Sequence, residues 1–117
     1  GGTFFEFRDI TWPESAVLLS KHGGVLVTCD SVQNFVDLTG CSPVGKLVTT
    51  MMGFKHPSHI GKPWRKEMGK SHGVGALRAN FERLLTKDFC HLASGHGPVS
   101  RDHAKTNLAK TLTRVFG

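Results

Sequence analysis

Two residues stand at positions where strand-based proteins carry chemistry. Asp30 closes the apolar run Val25-Leu26-Val27-Thr28-Cys29, and His96 lies between Gly95 and Gly97 just beyond Phe89–Ala93. A carboxylate and an imidazole held at strand ends suit a hard or borderline metal such as zinc. Flanking glycines let the backbone turn sharply and bare the ring. The same residues also have a plain structural reading, because strand-terminal aspartates close turns and Gly-His-Gly is itself a turn sequence. Cys29 adjoins Asp30 and offers a thiolate, but its place in a strand run predicts a small buried hydrophobe.

A second chemical signal is charge. The 117 residues carry a net +6, and the excess is concentrated between Ser42 and Gly73. Lys46, Lys55, Lys62, Arg65, Lys66 and Lys70 there face Glu67 alone. Such a surface attracts phosphates, acidic substrates or nucleic acid, and Lys62, Arg65, Lys66 and Lys70 are its candidate anion-binding residues. Phe54 and Trp64 interleave with these cations, a mixture that serves base stacking with phosphate contact. A solvated loop whose lysines aid solubility, with aromatics anchoring it to the core, accounts for the same residues.

The other histidines carry less. His22 belongs to a hairpin turn and is expected to face solvent, His91 reads as a satisfied core or edge histidine, and His103 as exposed. His72 adjoins the basic stretch, where a phosphate contact is open to it. Cys29, Cys41 and Cys90 contain no C-x-x-C pair, so they frame neither disulfides nor a zinc ribbon. Free thiols point to a reducing, cytoplasmic compartment. No apolar run reaches the roughly 20 residues that span a bilayer, and the start does not read as a signal peptide.

The elements that must position these residues are legible in outline. Phe4–Ile10 alternates apolar with charged residues from Phe5, as a half-buried strand does. Ala16–Leu19 and Val25–Thr28 are short apolar runs joined through Gly23-Gly24, whose positive φ closes a hairpin. Residues 31–73 read as irregular, with helical stretches around Val44–Met51 and Trp64–Met68. Val74, Leu77, Phe81, Leu84 and Leu85 form an amphipathic stripe. Phe89–Ala93 reads as a short buried strand. Ser100 is expected to cap a last helix, with Asp102 in its first turn and Ala104, Leu108, Leu112 and Val115 buried. One α+β domain over 1–117 follows: a mixed sheet with strands near 3–10, 15–20, 24–29 and 89–93, and helices near 74–87 and 100–115 on one face.

Pro13-Glu14-Ser15-Ala16-Val17-Leu18-Leu19, a hairpin, and Val25–Asp30 resemble a stretch of the metallo-β-lactamase superfamily, where a P-G-S segment, two strands and a T-G-D turn occur in this order. Leu92-Ala93-Ser94-Gly95-His96-Gly97-Pro98 resembles the late G-H-G-x-P turn of the same superfamily. The resemblance is to the C-terminal half only, and implies half of an αββα sandwich. It implies that Asp30 and His96 correspond to a metal-bridging aspartate and a metal-binding histidine, with zinc or iron as the candidate metal. The departures are as informative. Nothing resembles the H-x-H-x-D-H motif, His56-Pro57-Ser58-His59 has the wrong spacing and place, Asp9–Trp12 occupies the stretch of the middle histidine, and Cys29 replaces a glycine.

Two ligands do not make a tight zinc site, since structural zinc takes four and catalytic zinc usually three with an open position. The expectation is therefore an incomplete relative of metal-dependent hydrolases, inactive as the isolated chain. A lone half would expose an apolar sheet face, which calls for a homodimer or a missing first-half segment as partner. The alternative function is a non-catalytic module that holds nucleic acid or an acidic partner on residues 42–73.

Overall fold

The computed structural model describes residues 1–33, 42–44, 58–95 and 99–117. Its elements are strand β1 (Gly2–Glu6), strand β2 (Ser15–Leu19), strand β3 (Val25–Thr28), helix α1 (Lys62–Met68), helix α2 (Gly73–Leu84), strand β4 (His91–Ser94) and helix α3 (Ala104–Phe116). The four strands form one mixed sheet in the order β1-β2-β3-β4. β1, β2 and β3 are successively antiparallel, and β4 runs parallel to β3. A parallel neighbour requires a crossover, and the chain supplies it through α1 and α2.

Strand alternation sorts the sheet's side chains onto two faces. The register pairs Phe5 with Ala16, Leu18 with Leu26, and Leu26 with Leu92, so these residues share one face. That face joins the core with Leu77, Phe81 and Leu84 of α2, Leu108 and Leu112 of α3, and Trp64 of α1. α1, α2 and α3 therefore pack on one side of the sheet, the α+β layering expected from the sequence. Phe7, Trp64 and Phe81 pack edge to face at its centre, with ring centroids 5.4–5.9 Å apart.

The other face carries Phe4, Val17, Leu19, Val25, Val27 and Ala93, none of which is buried. Phe4 is 79% exposed and Leu19 39%. The sequence expectation of an apolar face without a covering layer matches this arrangement of the described residues.

Several boundaries depart from expectation. β1 ends at Glu6 rather than near Ile10: Arg8 turns its backbone to the Asn80 side chain, and Asp9 takes a positive φ of 55°. Ser100 does not cap the last helix. It pairs with Leu92 through two backbone bonds of 2.8 and 2.9 Å, and the helix starts after His103, with Asp102 outside it at φ 68°. Val74 is 61% exposed, and Asn80 takes its place on the buried side of α2. The expected helix near Trp64–Met68 is α1, whereas Gly45–Met51 of the stretch expected around Val44–Met51 lies outside the described residues. Gly23 and Gly24 do supply the positive φ (86° and 104°) that closes the β2–β3 connection. No helix among the described residues is long and apolar enough to cross a membrane.

Candidate functional site

Asp30 leaves the C-terminal end of β3, and register decides what meets it. β2 and β3 pair Val17 with Val27 in antiparallel fashion, so the residues before β2 come alongside those after β3. Glu14 and Asp30 are the positions that continue this pairing. β3 and β4 pair Thr28 with Ser94 in parallel, and the Gly95 N–H donates to the Thr28 carbonyl at 2.9 Å. Three separate segments thus converge where β3 stops. The expected partner of Asp30, His96, lies outside the described residues.

Beyond Asp30 the chain is fixed from several sides. Thr28 Oγ1 and Ser94 Oγ both donate to the Val32 carbonyl, at 2.8 and 2.7 Å. Gln33 Nε2 donates to the Asp30 carbonyl at 3.3 Å. Gln33 and His59 exchange two backbone hydrogen bonds of 2.7 Å, which ties this turn to the segment leading into α1. Ser31 Oγ and Gln33 Oε1 are buried polar atoms with no hydrogen-bond partner among the described residues. Such orphaned atoms are uncommon in folded proteins.

The electrostatics of this corner are acidic. Asp30 and Cys29 are exposed, so the expectation that Cys29 is a buried hydrophobe is corrected: β3 ends at Thr28, and Cys29 falls in the turn. The Asp30 carboxylate beside it pushes the Cys29 thiol up, with burial and Glu14 adding to the effect. A thiol so held is a poor source of thiolate for a metal or an electrophile. Burial raises Glu14 above the usual carboxylate range, and the charge of Asp30 adds to the rise. A hydrogen bond from Trp64 Nε1, 3.0 Å from Glu14 Oε2, opposes it. Glu14 also lines a surface cleft of about 410 Å³ with Glu6, Phe7, Pro13 and Ser15.

Sequence reasoning misses Glu14 because it precedes its strand and its importance depends on hairpin register. Among the described residues no three His, Cys, Asp or Glu side chains are grouped as a metal ion would require. Of the two ligands implied by resemblance, Asp30 alone falls among the described residues. The described donor set does not amount to a zinc site, because the nearby thiol is held protonated and Glu14 is engaged by Trp64.

Of the candidate anion-binding residues, Lys62, Arg65 and Lys66 lie on α1 at spacings that put them on one side of it, and Lys70 follows its end. Arg65 turns along the core edge, with Nε 3.1 Å from the Ile60 carbonyl and Nη1 3.4 Å from that of Val115. Lys70 is paired with Glu67 at 2.8 Å. Lys62 and Lys66 of the seven-residue α1 are both exposed. Trp64 is a core anchor, 8% exposed, rather than a stacking platform. The remaining histidines follow expectation more closely. His22, His72 and His103 are exposed, and both ring nitrogens of half-buried His91 are within hydrogen-bond distance of backbone atoms, the His22 carbonyl and the Asp102 N–H.

No protein-family model, curated protein or solved structure matches this chain.

Proposed function

We propose that the chain is an incomplete metallo-β-lactamase-like half-domain, inactive as a hydrolase by itself, whose open sheet face docks a second αβ layer. One observation carries this reading. The sheet is covered by helices on one face and presents Phe4, Val17, Leu19, Val27 and Ala93 on the other, while Asp30 sits at the sheet's end. An apolar face of this kind is a docking surface in water. A second copy related by a two-fold axis is the partner that needs no further component, and a first-half-type αβ segment is the other. In sequence Asp30 stands two residues after Thr28 of β3 and His96 two after Ser94 of β4, and the resemblance makes them the remnant ligand pair. Zinc, if bound there, would be held weakly by two ligands and would lack the means of presenting an activated water. The free thiols support a cytoplasmic setting.

Sedimentation velocity from low to high micromolar concentration tests the docking. The expected result is a concentration-dependent dimer burying well over about 1,000 Å² in total, dissociated by Val27→Lys in the middle of the open face. A chain that stays monomeric at hundreds of micromolar, and binds no apolar dye, contradicts the proposal.

A further inference from the structure

A cluster of positive charge that the sequence does not announce lies in a cleft along the edge strand. Arg83 of α2 reaches over β1. Its guanidinium lies 4.2 Å from the centroid of the Phe5 ring, and its Nη2 donates to the Glu6 carbonyl at 2.6 Å and to Asn80 Oδ1 at 3.0 Å. These contacts fix the plane of the guanidinium, and its Nε and Nη1 donors have no partner among the described residues. Arg8 stands beside it. Asn80 clamps the Arg8 backbone with two 2.7 Å bonds, while the Arg8 side chain is exposed and has no partner among the described residues. Burial and then the charge of Arg8 lower the pKa of Arg83, which places the Arg8 charge close to the Arg83 guanidinium.

Two hollows meet at this pair. The larger, of about 390 Å³, is lined by Phe4, Phe5, Glu6, Arg8, Arg83 and Lys87. The smaller, of about 210 Å³, continues past Arg8 and Arg83 along α2. The Lys87 amine has no partner among the described residues. The larger hollow therefore presents three cations against the single carboxylate of Glu6. Phe4 lines the same hollow and is 79% exposed.

We propose that this cleft binds a nucleotide, with its phosphate on Arg8, Arg83 and Lys87 and its base stacked on Phe4. Two guanidiniums, one of them held rigid, supply the forked donors that match phosphate oxygens, and the ammonium adds a point charge. Holding like charges together costs free energy in the empty protein, and a bound anion offsets that cost. An exposed aromatic ring in a cationic groove stacks any base, so recognition is of nucleotide chemistry rather than sequence. The nucleotide is either free or part of a single strand. Phe4 also belongs to the open face of the half-domain reading, whereas Arg8, Arg83 and Lys87 do not, so the two cation variants test this proposal apart from that reading.

Calorimetric titration with adenosine monophosphate, ribose 5-phosphate and inorganic phosphate, together with anisotropy of a labelled oligothymidylate, tests it. Arg8→Ala and Lys87→Ala remove side chains without internal partners, so the fold is expected to survive both. The double variant is expected to weaken adenosine monophosphate at least tenfold, and Lys62→Ala with Lys66→Ala to leave it unchanged. Phe4→Ala should lower adenosine monophosphate to the affinity of ribose 5-phosphate while leaving inorganic phosphate unaffected. Much tighter oligothymidylate binding, its logarithmic salt slope reduced by about 1.4 when both cations are removed, identifies the strand as the source. Equal affinity identifies the free nucleotide. Absence of saturable binding at low ionic strength, or binding indifferent to Arg8 and Lys87, overturns the proposal.

Discussion

Glu14 shows how one side chain couples the sheet's end to the core. Burial lifts its carboxyl above the usual range although Trp64 Nε1 donates to it. A carboxylate with a raised folded-state pKa stabilises the fold most when protonated. Its contribution is complete below the unfolded carboxylate pKa and is lost as pH rises through the folded value. Glu67 acts in the opposite sense, being depressed by hydrogen bonds from Lys70 and Trp12. Its contribution is present above the unfolded value and lost as pH falls through the folded one. Glu14→Gln keeps an oxygen for Trp64 and removes the charge, so this variant is expected to be at least as stable as the parent at pH 7. It should also flatten the loss of stability as pH rises above the ordinary carboxylate value. Urea denaturation across that range checks this, and a Glu14→Gln protein clearly weaker than the parent at neutral pH would contradict it. Asp30 is legible in the sequence as a strand-terminal acid. Glu14 is not, because only the pairing of Val17 with Val27 sets it alongside.

Among the elements, the β2–β3 connection is the most constrained. Gly24 has φ 104°, and a Cβ there would lie 2.3 Å from the Asp88 carbonyl oxygen and 2.7 Å from the Phe89 Cα. Both obstacles are backbone, so the chain entering β4 would have to move. Gly24→Ala is expected to cost about 2 kcal/mol or more, combining left-handed strain with the clash. Thermal denaturation measures it, and a loss under about 0.5 kcal/mol would show that the hairpin and the β4 entry are not locked together. This glycine pair is legible as a turn. The four strands and the helices near Trp64, Phe81 and Leu108 are legible too, because period-2 and period-3.6 patterns survive in short runs. The true role of Ser100 is not, since a backbone pairing with Leu92 claims that residue before the helix begins. The cleft of Arg8, Arg83 and Lys87 leaves no local signal, because long-range folding assembles it.

For the whole molecule, the question is what a half-covered sheet can do. The helical face is closed by a continuous core from Phe5 to Leu112. On the opposite face Phe4 and Leu19 are exposed and Val17, Val25, Val27 and Ala93 half-buried, with no covering layer among the described residues. Asp30 lies at the sheet's end beside Glu14, a thiol held protonated, and two polar atoms without a hydrogen-bond partner among those residues. The apolar character of the opposite face follows from the alternation of the strands, whereas the composition of the Asp30 corner depends on register. Hydrolysis by the purified chain in zinc-supplemented buffer tests the central claim most directly. A lactam, a thioester and a phosphodiester serve as substrates, with Asp30→Ala and His96→Ala in parallel. No turnover above background is expected for any of them, and a stability loss of about 1 kcal/mol or less in either variant. Zinc-dependent turnover abolished by His96→Ala would contradict the half-domain reading, because a second copy or another histidine would then be completing the site.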